Sequence, residues 1–421
     1  ALGILTGRYQ FSHRGKGEVT HFQALSTALS GTVGVGNLGA VAIGIALGGP
    51  GAVFWLIVAG FCGMALKFVE CTLGIKYRRY HSDGTVSGGP MFFLEKGLGQ
   101  LNWPRLGKGL AYFYAAGIVI GSLGVGNMFQ ANQAYRQMVV LLEENSIAMG
   151  QQSWVFGLGL SFLVAIVIIG GITKIAKVTE KLVPFMACLY VGSALIVIGL
   201  NYHHIPSSIA LILTHAFLPE GINGGVVAVI FWGFQRALIS NEAGIGSAAI
   251  AHSAVRSDNP FSEGFVSLLE PFIDTVVICT ITSLVLVTSM EAYPGSFVGL
   301  EPGVAWTSKA FTWKFSWASI PLTFMVLLFA YSTIVSWSYY GLKGWQYLFG
   351  DHVVGTHTFH SIYCLFIILG CALPVRSIIE FTDAALFLLC IPNLLGLYFL
   401  APQLKKELPA ALAHMKKNLK E

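Results

Sequence analysis

The sequence predicts an all-α polytopic membrane protein built as two five-helix halves of opposite orientation, a 5+5 inverted-repeat helical bundle with broken first and sixth helices. Three observations carry that expectation. The 421 residues are 55% hydrophobic, only 11% charged and of mean hydropathy +0.69, whereas a soluble domain carries about 25% charged residues. The apolar residues gather into successive runs of roughly 20, the length that crosses a hydrocarbon core about 30 Å thick. Two of those runs, five spans apart, are interrupted by glycine and polar residues.

Ten spans follow from runs bounded by charge and turn residues: about 21–48, 51–77, 110–142, 152–172, 183–200, 223–255, 263–289, 316–342, 357–374 and 378–401. Lipid requires each segment to satisfy its own backbone, so these runs are helices, and the alternating ten-residue pattern of a β-barrel is not seen. Connectors such as Gly48-Gly49-Pro50-Gly51 are too short to hold a second domain. Residues 1–421 are therefore expected to form one transporter domain, with 21–200 as the first repeat, 223–401 as the second and 402–421 as a tail.

With the N-terminus inside, 19 of the 25 Lys and Arg residues fall in cytoplasmic segments and three, Lys309, Lys314 and Arg376, in outside loops. Cytoplasmic loops retain such an excess, so both termini are expected to be cytoplasmic, in a cell membrane crossed ten times. The tail, from Gln403-Leu404-Lys405-Lys406 onward, reads as a stop-transfer segment that could also lie on anionic lipid. The net charge of +5 is spread between apolar runs and points away from nucleic acid. Seven cysteines, all in apolar segments without CxxC spacing, read as packing residues. The chain begins at Ala1, so a further upstream helix is possible.

The first interruption is Ser30-Gly31-Thr32-Val33-Gly34-Val35-Gly36-Asn37 and the second Asn241-Glu242-Ala243-Gly244-Ile245-Gly246-Ser247. Irregular backbone at membrane depth is tolerated only beside a cavity, so corresponding breaks in two halves mark a transport site. Five spans per half is odd, which inverts the second half. Gly34–Gly39 also matches G-x-G-x-x-G, but no strand precedes it and a dinucleotide fold is excluded. A half-helix N-terminus offers N–H groups to a carboxylate, and freed carbonyls offer oxygen to a cation.

Other polar groups at membrane depth are candidates because burying them is expensive. In the sixth span these are Gln235, Arg236, Asn241, Glu242 and Ser247, where Arg236 and Glu242 read equally as structural latches. In the eighth, Ser332, Thr333 and Ser336 lie near one face, suited either to a small monovalent cation or to helix packing. In the third, Asn127, Gln130, Asn132 and Gln133 either contact ligand or glue helices, and Gln130 could do the former. Lys67/Glu70 reads as an internal ion pair. Glu270/Asp274 reads as a like-charge pair that could carry a proton, or as two salt bridges to other helices. The eleven histidines show no metal-ligand spacing, and no P-loop or G-x-S-x-G elbow occurs, so neither an ATP-driven pump nor a hydrolase is expected.

At Gly31–Asn37, continued by Ala46-Leu47-Gly48-Gly49-Pro50-Gly51-Ala52-Val53-Phe54-Trp55, and at Ser240–Ala248, the chain resembles the alanine or glycine:cation symporter family. The resemblance implies a LeuT-like fold, no enzyme activity, no cofactor beyond sodium as coupling ion, and uptake of a small neutral amino acid. It places the substrate carboxylate at backbone in Thr32, Gly34, Val35 and Gly36 beside Asn37. Gln130, Trp232, Gln235, Asn241 and Trp337 would complete the pocket. It places sodium among Gly31, Thr32, Phe329, Ser332 and Thr333. Proton coupling through Glu270/Asp274, or glutamine as substrate, stands as the alternative.

Overall fold

The computed structural model describes residues 1–6, 16–82, 84–144, 152–219 and 222–417. Arg8, Arg14 and Lys420 of the basic count lie outside them. Seven helices are long and apolar enough to cross a membrane: Ala52–Lys76, Pro104–Glu143, Gly171–Leu200, Pro260–Ala292, Ser319–Phe349, Val353–Ala372 and Val375–Ala413. An eighth span is a bent pair, His21–Thr32 and Gly36–Gly48, with a 41° change of direction between them. The two remaining predicted spans are shorter apolar helices, Ser153–Ile168 and Gly225–Asn241, and the second continues past a break into Ser247–His252. Each of the ten predicted spans thus has its helix, in order.

The boundaries differ where charge ends an apolar run without ending a helix. The fifth span begins at Gly171, because Lys174, Lys177 and Lys181 occupy helical turns ahead of the apolar stretch. The tenth helix runs on through Pro402 to Lys417. The tail's first turns dock on protein: Lys76 Nζ pairs with Glu407 Oε1 at 2.6 Å and the Tyr77 hydroxyl donates to Gln403 at 3.1 Å. Shorter elements missed by the sequence reading join the spans: a two-stranded hairpin pairing Arg79–Tyr80 with Val86–Ser87, and helices Pro90–Gln100, Ile205–Phe217 and Val304–Thr312.

The broken spans sit against each other in inverted sense. The second half of the first span, Gly36–Gly48, packs on the first half of the sixth, Gly225–Asn241, while His21–Thr32 packs on Ser247–His252. Small residues permit that approach. A Cβ at Gly44 would stand 3.0 Å from Arg236 Cγ, and one at Gly36 would stand 3.8 Å from the Ile239 carbonyl. Two further irregularities flank the pair: a π-helical turn at Gly124–Met128 in the third span and another at Phe272–Cys279 in the seventh. Such bulges collect at functional sites because they release a carbonyl and rotate the following side chains.

Candidate transport site

Both breaks are held by side chains that take over hydrogen bonds the helix would have made. In a continuous helix the Gly34 N–H would reach the Ser30 carbonyl. Here it donates to Asn37 Oδ1 at 2.7 Å, so the Ser30 carbonyl is released. In the sixth span the Ala243 N–H donates to Asn241 Oδ1 at 2.9 Å and the Gly244 N–H to Glu70 Oε1 at 2.8 Å. These release the Ile239 and Ser240 carbonyls. Glu242 and Gly244 complete the turn with φ of 55° and 91°. The left-handed backbone costs glycine little and a glutamate more.

The released Ser30 carbonyl meets the eighth span. It accepts from the Thr333 hydroxyl at 3.0 Å, while the Ser30 hydroxyl donates to the Ser332 carbonyl at 2.7 Å. The Ser332 hydroxyl donates to the Phe329 carbonyl at 2.9 Å. Three hydroxyls and three carbonyls are thus linked between the first and eighth spans, and a Cβ at Gly34 would stand only 2.5 Å from Thr333 Oγ1. All four residues, Ser30, Phe329, Ser332 and Thr333, are buried. Uncharged hard oxygens in this number suit a small monovalent cation, which the oxygens would bind in place of hydration water. Of the cation set expected from sequence, Phe329, Ser332 and Thr333 come together with the first span. Ser30, overlooked there, supplies its carbonyl. The Thr32 hydroxyl points back at the carbonyls of Ala28 and Leu29, both at 3.4 Å, and Gly31 lies under the Tyr340 ring.

Beside these oxygens sit Trp337 and Gln130. Trp337 is fully buried among three irregular segments: its indole N–H donates to Glu242 Oε1 at 2.9 Å, and a Cβ at Gly31 would lie 3.7 Å from that nitrogen. A Cβ at Gly126 in the π-helical turn would stand 2.0 Å from Trp337 Cγ, so that turn must carry glycine. Gln130 Nε2 donates to the Val125 carbonyl at 3.3 Å, a carbonyl within the same turn. Its Oε1 is buried without a hydrogen-bond partner and would stand 3.5 Å from a Cβ at Gly34. A buried acceptor without a partner costs free energy on the order of 1–3 kcal/mol. The other amides of the cluster bond protein: Asn127 donates to the Tyr363 carbonyl, Asn132 to those of Gly370 and Leu373, and Gln133, on the cavity wall, weakly to Asn132 Oδ1 at 3.4 Å. One turn on, Gln137 donates to Ser308 and Thr323.

Three residues expected at the pocket are engaged elsewhere. Asn37 is spent on structure, since its Nδ2 donates to Asp274 Oδ1 at 2.6 Å and to the Ser240 hydroxyl at 3.1 Å. Trp232 packs at the far end of the first span against Gly48, with the Arg236 guanidinium 5.4 Å from its ring. Gln235 donates weakly to Asp383 at 3.4 Å, the carboxylate that also pairs with Arg236 at 3.6 Å. Both lie more than one helical turn before the break at Glu242, too early to reach it. Asn241 caps the break and donates to the Thr275 hydroxyl at 3.0 Å.

The charged pairs also differ from the sequence reading. Lys67 pairs with Glu270 at 3.1 Å, and Glu70, one turn along, faces the sixth-span break and Asn393. Glu270 and Asp274 do not act as a like-charge pair. The π-helical turn beginning at Phe272 rotates Asp274 toward Asn37 and Ser240, while Glu270 faces Lys67 and His252.

The two ends of the molecule differ. A cavity of about 690 Å³ opens at the end opposite the described N-terminal residues, lined by Gly39, Ile43, Phe129, Gln133, Arg136 and Gly303 among others. Gly39 and Phe129 lie close in sequence to Asn37 and Gln130. At the other end a cavity of about 400 Å³ lies among Arg79, His81, Glu95, Lys108 and Lys343, and the described residues beside it are tied together. The buried Arg78 guanidinium donates to the carbonyls of Ser253, Val255, Ser257 and Lys16 at 2.6–2.9 Å, and Val19 bridges Val255.

The comparisons agree with this architecture. The model of the sodium:alanine symporter family matches residues 2–421. The chain is 37% identical over 403 residues to the sodium/alanine symporter AgcS of Methanococcus maripaludis, covering 95% of this chain and 86% of that protein. It is 33% identical to the probable sodium/glutamine symporter GlnT of Bacillus subtilis, covering 92% and 77%. Among solved structures, MhsT in complex with L-phenylalanine superposes with TM-score 0.62 at 16% identity, over 92% of this chain and 89% of that one, a likeness of fold. The chain is a helical multi-pass membrane protein of LeuT-like fold, and it belongs to the sodium:alanine symporter family.

Proposed function

We propose that this protein is a secondary-active symporter that couples inward sodium movement to uptake of a small neutral amino acid, alanine or glycine, by alternating access. The observation that carries the reading is the convergence of the released Ser30 carbonyl with Phe329, Ser332 and Thr333, one residue-length from the orphan N–H groups of the half-helix beginning at Gly36. A helix N-terminus leaves its first N–H groups without intrahelical partners. The substrate carboxylate takes these at Val35 and Gly36, and sodium takes the adjacent oxygens. The two opposite charges then stabilise each other, so each ligand raises the affinity of the other by the same factor. The Gln130 carbonyl accepts from the substrate ammonium, and Trp337 bounds the space for its side chain. Cytoplasmic termini fit the basic bias and the vestibule opening on the opposite face.

Binding of labelled alanine to the purified protein, titrated with sodium at fixed ionic strength, tests the coupling. The expected result is an alanine Kd that falls at least about tenfold as sodium replaces choline, equal to about 1.4 kcal/mol of coupling. An alanine Kd indifferent to sodium sinks the proposal. Competition by glycine and glutamine in the same assay ranks the substrates.

A further inference from the structure

A line of five ionisable groups, none of them part of the site above, runs inward from the closed end. His21 Nδ1 meets Glu263 Oε1, and Glu263 Oε2 meets His252 Nδ1. His252 Nε2 meets Glu270 Oε1 at 2.6 Å, and Glu270 Oε2 meets Lys67 Nζ at 3.1 Å. Glu263, His252, Glu270 and Lys67 are completely buried, and only the His21 side chain, 21% exposed, reaches the surface. We propose that this line is a one-sided proton site, and that the proton it holds on His252 locks the N-terminal end of the transporter closed.

The hydrogen bonds require a proton. Both ring nitrogens of His252 face carboxylate oxygens, which only accept when ionised, whereas a neutral imidazole offers a single N–H. One further proton must therefore lie in the His252–carboxylate unit, where it also offsets part of the buried negative charge of Glu263 and Glu270.

Among the described residues no further cation approaches the line. The second span adds Glu70 and Cys71, the sixth adds Glu242, and the eighth adds the buried Tyr340 hydroxyl. From the fifth span, Glu180 is held by Gln23. Arg78 is committed to carbonyls on the same face. Cys71, His252 and Glu270 approach within 4.8 Å, a spacing open to a metal. Both imidazole nitrogens and Glu270 Oε1 already hold hydrogen bonds, however, and Lys67 Nζ stands 3.1 Å from Oε2, so the cations facing these carboxylates are lysine and proton.

The line joins four elements at the closed end: the first helix of the broken first span, the second half of the sixth, the start of the seventh and the second span. Opening that end to water separates His21 and His252 from Glu263 and lets the proton leave. By linkage, acid on that side favours the closed state and slows opening. None of the five residues lines the vestibule, so the proton enters and leaves from one side and is not carried with substrate.

The experiment measures sodium-driven alanine uptake into proteoliposomes whose orientation is scored by protease access to the C-terminal tail. The pH facing the N-terminal end is set between about 6 and about 8, the range in which histidine exchanges protons, with the other side fixed. Wild-type uptake is expected to fall about fivefold toward the acid end. Glu263→Gln replaces the carboxylate by an amide that donates to a neutral His252 and still accepts from His21. It keeps sodium-driven uptake and loses the pH response. His252→Gln loses the response too, whereas His21→Gln, which preserves its donor, retains it. An entrapped pH dye registers no proton entering with alanine. A pH response unchanged in both Glu263→Gln and His252→Gln overturns the proposal, as does a proton moving with each alanine.

Discussion

At the scale of single residues, the proposed cation site rests on Thr333. Its hydroxyl reaches the released Ser30 carbonyl, while the Ser332 hydroxyl is given to the Phe329 carbonyl and to Met186 Sδ of the fifth span. Thr333→Ala is expected to raise the sodium concentration for half-maximal uptake by about tenfold, about 1.4 kcal/mol, with Thr333→Ser close to wild type. Sodium titration of alanine uptake checks it. Gly126 is constrained as tightly, because any Cβ there enters the Trp337 ring. Gly126→Ala is expected to destabilise the protein by about 1–3 kcal/mol through overpacking, read as a lower Tm in detergent, and to weaken alanine binding by displacing Trp337. That Ser332, Thr333 and Phe329 meet the first break was legible in the sequence only through the family resemblance, since hydroxyls at membrane depth serve helix packing equally well. Ser30 was not, because its contribution is a backbone carbonyl released when Asn37 takes its donor. Asn37, for the same reason, was read as a ligand contact although its amide is spent on the break and Asp274. Trp232 and Gln235 lie away from the breaks, and aromatic and amide character say nothing of which helical turn faces the cavity.

At the scale of elements, the organising devices are the two breaks and the two π-helical turns. The breaks were legible because glycine and polar residues interrupt otherwise apolar runs. The π-helical turns were not, since one extra residue in a turn leaves no compositional trace, yet they decide where Asp274 and Gln130 point. The same blindness explains the reassignment of Lys67 from Glu70 to Glu270. Spacing identifies partners on one helix and misses those on another. The closed end is an assembly of elements as well. Arg78 gathers carbonyls from the segment after the sixth span and from Lys16, all acceptors that would otherwise be buried unsatisfied. Arg78→Gln offers fewer donors and no charge. The expected outcome is a transporter that favours opening at that end, read as faster modification of a cysteine introduced at the buried Ser253 in an otherwise cysteine-free protein, with weaker alanine accumulation. Labelling as slow as in the protein with Arg78 intact would count against the closure.

At the scale of the whole molecule, the fold class and ten helical segments were legible because lipid permits so few solutions for a chain this apolar. The five-plus-five order followed from the odd separation of the two breaks. What pattern alone did not give was the conformation. The vestibule opens at one end, while at the other the described residues are tied together around Arg78 by contacts between segments far apart in the chain. On the proposed function, that asymmetry is one state of an alternating-access cycle, in which sodium and amino acid enter from the vestibule, bind beside the first break and leave when the Arg78 contacts part. The most direct test is accumulation of labelled alanine in proteoliposomes under an imposed inward sodium gradient, compared with equal sodium on both sides. The account predicts transient accumulation above the external concentration with the gradient and only equilibration without it. Equal uptake in the two conditions would contradict it.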